Sequence, residues 1–262
     1  MTAGKVLRSP FLPLGLLILL VVSGWVYRAF GGRVRVLNAS RLASGGGDLG
    51  HLGSQLWIAH GNSLGIALAG SFLACLIGLL IGTVLAFSSG WARQFSDTLL
   101  QTFMAIPVVL YFLVSLVIFP PGPVTLIFVF AATLWLEPAR MIQARIRELE
   151  SAPFIHVPRM MGWSFGRIFT KEWLPNLAAV FWVSFLIVFL NAILLEAILG
   201  YLGLGLRPGT PALGRMIEWG AKYWPRNPAM LLAPLALEIA WIVSLRRLLR
   251  KADRRDRPLR LV

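Results

Sequence analysis

The segment RIRELESAPFIHVPRMMGWSFGRIFTKEWLPN, Arg145 to Asn176, decides how the rest of this chain is read. It is charged, holds Pro153 and Pro158 near its middle, and carries an apolar set of its own. Phe154, Ile155, Val157, Met160, Met161 and Phe165 recur at roughly helical spacing, with His156, Arg159 and Ser164 between them. A short amphipathic element between two long apolar helices can lie on a membrane, cap a bundle or dock into a partner. Periodicity alone favours the first of these, a connector lying on the surface.

What flanks the segment is almost entirely apolar. The chain has 262 residues, of which 57% are hydrophobic, and its mean hydropathy is +0.75. That is too apolar for a soluble domain. A bilayer core of about 30 Å is crossed by about 20 helical residues, and several segments reach that length. The net charge of +14 would suggest nucleic acid in a soluble protein. Here the basic residues sit in loops and tails between apolar runs, which is the pattern membrane topology imposes. The single cysteine, Cys75, lies inside an apolar run, so neither a disulfide framework nor a thiolate metal cluster is expected.

Six spans are read in order: Phe11–Phe30 as an uncleaved first span, Leu64–Ser88, Thr98–Phe119, Val124 to about Ala139, Leu177–Leu199 and Pro228–Leu245. Residues 31–62 read as a glycine-rich outer loop with a short interfacial helix near Gln55 to Ala59. Gly78 and Gly82 form a GxxxG step suited to close helix approach. Pro107 removes a backbone hydrogen bond inside the third span and kinks it. With the amino terminus inside, cytoplasmic pieces hold about 17 of the 25 basic residues and outer loops about 8. The charge count therefore puts both termini in the cytoplasm. The fold class is all-α and polytopic, with about six transmembrane helices. Residues 1–62 form an anchor span and outer loop, 63–250 the transmembrane domain, and 251–262 a basic cytoplasmic tail.

Ionisable residues within spans invite a reason, because a carboxylate at mid-bilayer is costly. Glu196 and Glu238 are read as hydrogen-bonded to neighbouring helices or as sitting in a wet cavity, since no buried basic partner or carboxylate pair is evident in the sequence. Ser184, Asn191 and Glu196 are the polar candidates for a translocation path. The three histidines, His51, His60 and His156, show no metal-ligand spacing, and no catalytic set is apparent. The chain carries no GxxxxGK[ST] phosphate loop and so is not itself an ATPase. A self-sufficient secondary transporter or channel is the alternative from another class. It would call for coupling carboxylates or inverted repeats, and no clear repeat is found.

From Trp135 to Asn176 the chain resembles the inner-loop signature of permease subunits of bacterial ABC importers. The residues that carry the likeness are Pro138-Ala139-Arg140, Phe154 through Gly162, Arg167-Ile168-Phe169 and Leu174-Pro175-Asn176. Glu196-Ala197, Leu202-Gly203-Leu204-Gly205, Pro208, Pro211, Gly214, Met216 and Gly220 resemble the outer loop of the dipeptide, oligopeptide and nickel branch. Asp97 with Met104-Ala105-Ile106-Pro107 resembles its third-span entry.

The resemblance implies a type I importer permease fold in the bacterial inner membrane. It implies a second permease subunit, two ATPase subunits that bind ATP and Mg, and a periplasmic or lipid-anchored substrate-binding protein, with no cofactor in this chain. Phe154, Ile155, His156, Val157, Arg159, Met160, Met161 and Gly162 would form a coupling helix seated in an ATPase groove. The cargo would be peptides or similar small solutes, or alternatively nickel or a metal chelate. His156 stands where the family has glutamate, and Pro158 where it has a second alanine. A proline there splits the short helix into two turns.

Overall fold

Hydrophobic runs of this length leave backbone polar groups no water to bond with, and helix formation satisfies them internally. The computed structural model describes residues 49–151 and 160–255, and in that part every regular element is helical. They are α1 (Leu49–Ala86), α2 (Gly90–Ala105), α3 (Val108–Ile118), α4 (Pro123–Leu134), α5 (Leu136–Glu150), α6 (Phe165–Ile168), a π-helical turn (Phe169–Trp173), α7 (Leu174–Tyr201), α8 (Leu213–Lys222) and α9 (Ala229–Arg255). The expected first span, Phe11–Phe30, and the basic tail beyond Arg255 lie outside the described residues.

Among the described residues four helical stretches are long and apolar enough to cross a membrane: Leu52–Ala86, Pro123–Glu150, Gly166–Tyr201 and Ala229–Arg250. A fifth crossing arises if α2 and α3 count as one, and these are bent by 75°. The break falls at Ile106-Pro107, where the proline was expected to kink the span. Pro107 has no N–H to continue the ladder of α2, and its carbonyl instead accepts from Leu110 N at 2.9 Å in the first turn of α3.

The interruption centred on Phe154 is shorter than its charge suggests. Arg145 to Glu150 continue α5 as helix, because Ile142, Ile146 and Leu149 remain buried on one face. The stretch near Gln55 to Ala59 is part of α1 and not a separate interfacial helix. Residues 200–227, read as loop, contain α8, whose Leu213, Gly214, Met216 and Gly220 are buried.

Two compact units divide the chain. Among the described residues, one comprises 49–68, 119–126 and 190–255, and the other 69–118, 127–151 and 160–189. In the first, Leu52, Ala59, Leu213, Met216 and Met230 form the core, joined by Leu56, Trp219 and Leu237. In the second, Ala86, Ile142, Ile146, Leu149, Ile168, Trp173 and Leu177 pack together. The GxxxG step does what its spacing predicts within this second unit. A Cβ on Gly78 would fall 2.6 Å from Pro138 Cβ, and one on Gly82 would overlap the carbonyl of Ala139. Small residues here let α1 lie directly on the backbone at the start of α5, in a setting where lipid supplies no hydrophobic drive.

The π-helical turn has a definite geometric signature. Leu174 N–H reaches back five residues to the Phe169 carbonyl, one more than the α-helical step. The following residues resume α-helix without a break in direction of hydrogen bonding.

Candidate functional site

Two places concentrate polar side chains on apolar helices. The first lies at the stems of the loop between Glu150 and Phe165, in the second unit. Gln143 and Arg147 stand one turn apart on α5 and so share a face. Both reach Asp97 on α2. Asp97 Oδ1 accepts from Gln143 Nε2 and from Arg147 Nη1, each at 3.0 Å, and Oδ2 accepts from Arg147 Nη1 at 3.0 Å. Arg147 Nη2 also approaches the Leu85 carbonyl at 3.4 Å, in the last turn of α1. Charge-assisted bonds of this kind are stronger than neutral ones, and this pair is partly shielded from solvent.

The other stem is fixed by an aromatic ring. Trp173 is fully buried and stacks on Phe87, just past the end of α1, with centroids 5.3 Å apart and planes at 21°. Both stems are thus anchored to the corner where α1 turns into α2. Between them Met160 and Met161 are 87% and 69% exposed, and Gly162 takes the left-handed φ of +75°. Of the expected coupling-helix residues, Phe154, Ile155, His156, Val157 and Arg159 lie outside the described residues.

The second place is in the first unit, where α1, α7 and α9 carry buried polar groups. Ser63 on α1 accepts the backbone N–H of Leu213 at 2.9 Å and hydrogen-bonds through its side chain to Glu196 on α7. Glu238, on α9, is buried in the same unit. One turn along α9, Trp241 Nε1 donates to His60 Nδ1 at 3.3 Å, and His60 is one turn before Ser63. Glu196 is 2% and Glu238 4% exposed. Next to Ser63 in sequence, Asn62 Nδ2 donates to the Pro211 carbonyl at 2.8 Å.

Glu196 therefore bonds a neighbouring helix, as expected, whereas Glu238 departs from the hydrogen-bonded reading: both of its carboxyl oxygens are buried with no hydrogen-bond partner among the described residues. The pairing of Glu196 with Ser63 is not visible in the sequence, because the two stand on helices far apart in the chain. Of the other two path candidates, Ser184 is buried in the second unit and donates to the Val180 carbonyl at 2.8 Å, with Met141 Sδ 3.3 Å away. Asn191 belongs with Glu196 to the first unit and is half-buried.

A broken span, a short buried helix beside the end of a long one, and a polar loop with braced stems define a polytopic helical membrane component. Residues 74–257 match the family described as binding-protein-dependent transport system inner membrane component, and the chain belongs to that family. It is 34% identical over 156 residues to a Brucella ovis protein named "Putative peptide permease protein", covering 60% of this chain. The chain spans about half the length (52%) of that relative. It is 27% identical to the oligopeptide transport system permease protein OppC of Bacillus subtilis, over 77% of this chain and 66% of that protein.

Among solved structures, a chain of the MetNI methionine ABC transporter in an inward-facing conformation superposes with a TM-score of 0.59 at 19% identity. That match covers 73% of this chain and 93% of the other. The fold is thus that of a type I importer permease.

Proposed function

We propose that this chain is the transmembrane permease subunit of an ATP-driven importer for peptides or similar small solutes. The observation that carries the reading is the family match over residues 74–257, which includes both stems of the inner loop and the described helices from mid-α1 onward. The peptide permeases among its relatives support the cargo class. In this reading the chain pairs with a second permease subunit, and ATP and Mg are held by two partner ATPase subunits. A binding protein delivers solute to the outer face, and both termini lie in the cytoplasm of a bacterial inner-membrane system.

Residues 154–162 serve as the coupling helix. The exposure of Met160 and Met161 supports that role, since large apolar side chains on a polar loop gain by being covered by a partner. A lever must be stiff to transmit motion, and the two braced stems supply the stiffness. Ser184, Asn191 and Glu196 remain the polar candidates for the path.

The test is to replace residues 153–162 by a Gly-Ser linker and purify the subunit from membranes with its neighbours. ATP-hydrolysing chains should accompany the unaltered protein and be lost from the variant, together with peptide uptake into vesicles. Unimpaired uptake by the linker variant would overturn the proposal.

A further inference from the structure

The contact between Asp97 and Arg147 does more than close a gap between helices. Arg147 lies in the last turn of α5, one turn before the inner loop begins. Asp97 lies midway along α2, whose far end is the 75° break at Ile106-Pro107. The Asp97 carboxylate is gripped from α5 by two side chains one turn apart, Gln143 and Arg147, at 3.0 Å. Two points of attachment on one carboxylate fix the rotation of α5 relative to α2 as well as their separation. Arg147 also reaches the Leu85 carbonyl, so the end of α1 is held by the same guanidinium. With Trp173 stacked on Phe87, displacement of the inner loop must carry the α1–α2 corner with it.

We infer that Asp97 and Arg147 are a positioning pair that makes α2 travel with the inner loop, so that a push on the loop is delivered to the Pro107 bend. Gln143 is the auxiliary donor that sets the angle. The inference rests on the importer reading above, in which the loop is pushed by an ATPase. Without the pair, α2 is held to α5 by packing and by a weak contact of Arg140 Nη1 with Met104 Sδ at 3.8 Å, and motion of the loop is absorbed before it reaches α3.

The full transporter, co-purified with its ATPase and reconstituted in lipid vesicles, tests this with Asp97→Asn, Arg147→Gln and the exchanged pair Asp97→Arg with Arg147→Asp. Three quantities are read: ATPase retained on purification, ATP hydrolysed, and peptide taken up per ATP. Both single variants should keep the ATPase and its hydrolysis while uptake per ATP falls about tenfold, within the range known for residues that carry coupling. The exchanged pair should recover a good part of it. Wild-type uptake per ATP in the single variants would overturn the role of the pair. So would parallel loss of assembly in the singles and the exchanged pair, because that marks a merely structural contact. If the unaltered chain retained no ATPase at all, the importer reading itself would fall, and this inference with it.

Discussion

The Ser63 hydroxyl accepts the backbone N–H of Leu213 at 2.9 Å, so the first turn of α8 is capped by a residue of α1. The helix cannot cap itself, because its own N-cap position is Ala212, which makes no side-chain cap bond. Orphan N–H groups at a helix start need acceptors when buried, and here another helix provides one. The same hydroxyl hydrogen-bonds the buried Glu196 carboxyl, so one small side chain serves two elements.

Ser63→Ala should therefore cost more than an ordinary cap, at about 1 kcal/mol. It also strips Glu196 of its hydrogen bond, and a buried polar group left unmatched adds about 1–3 kcal/mol. Thermal unfolding in detergent should show a clear drop, with Ser63→Thr recovering most of it. Equal stability of the alanine variant and wild type would mean the cap is dispensable.

Gly82 is pressed on the Ala139 carbonyl, and a side chain at that point meets backbone that cannot swing aside. Gly82→Val should destabilise the second unit by at least about 1–3 kcal/mol. Gly53, with nothing within 4 Å of its would-be Cβ, is the matched control. Gly53→Ala should leave the melting profile unchanged.

Met160 and Met161 stand out in solvent at 87% and 69% exposure, so folding stability does not depend on them. Replacing both by serine should shift stability by no more than about 0.5 kcal/mol. ATPase retained during purification should fall severalfold at the same time. Undiminished retention would remove these two side chains from the docking surface.

Restoring a backbone donor at the bend should straighten it. Pro107→Ala returns the N–H that α2 lacks at its end. Spin labels at Leu99 and Val114 should report a longer distance in the variant. An unaltered distance would show that packing, not the proline, holds the 75° angle.

Much of this architecture was readable from hydrophobic run length and from Pro107, since both act locally. Gly78 and Gly82 were legible as a close-approach site because their spacing puts them on one helix face. Three things were not. Arg145 to Glu150 read as part of the interruption because of their charge, although the spacing of Ile142, Ile146 and Leu149 is helical throughout. Helix α8 was hidden by the glycines and prolines before it, although Leu213, Met216 and Gly220 recur at turn-like intervals. The pairings of Asp97 with Arg147 and Ser63 with Glu196 are contacts between distant segments, and a one-dimensional pattern holds no signal for them.

The turn from Phe169 to Trp173 takes up one residue more than an α-helical turn, because Leu174 bonds Phe169 where an α-helix would bond Thr170. The helix on either side therefore stays in phase. Excising one residue inside the turn would return an ordinary α turn and leave Trp173 seated against Phe87. The same excision in plain α-helix would swing everything beyond it by about 100°, more than a quarter circle. The wide turn is thus a reservoir of slack, the one spot on this stem where a length change would leave the compass heading of the exposed methionines nearly as it is.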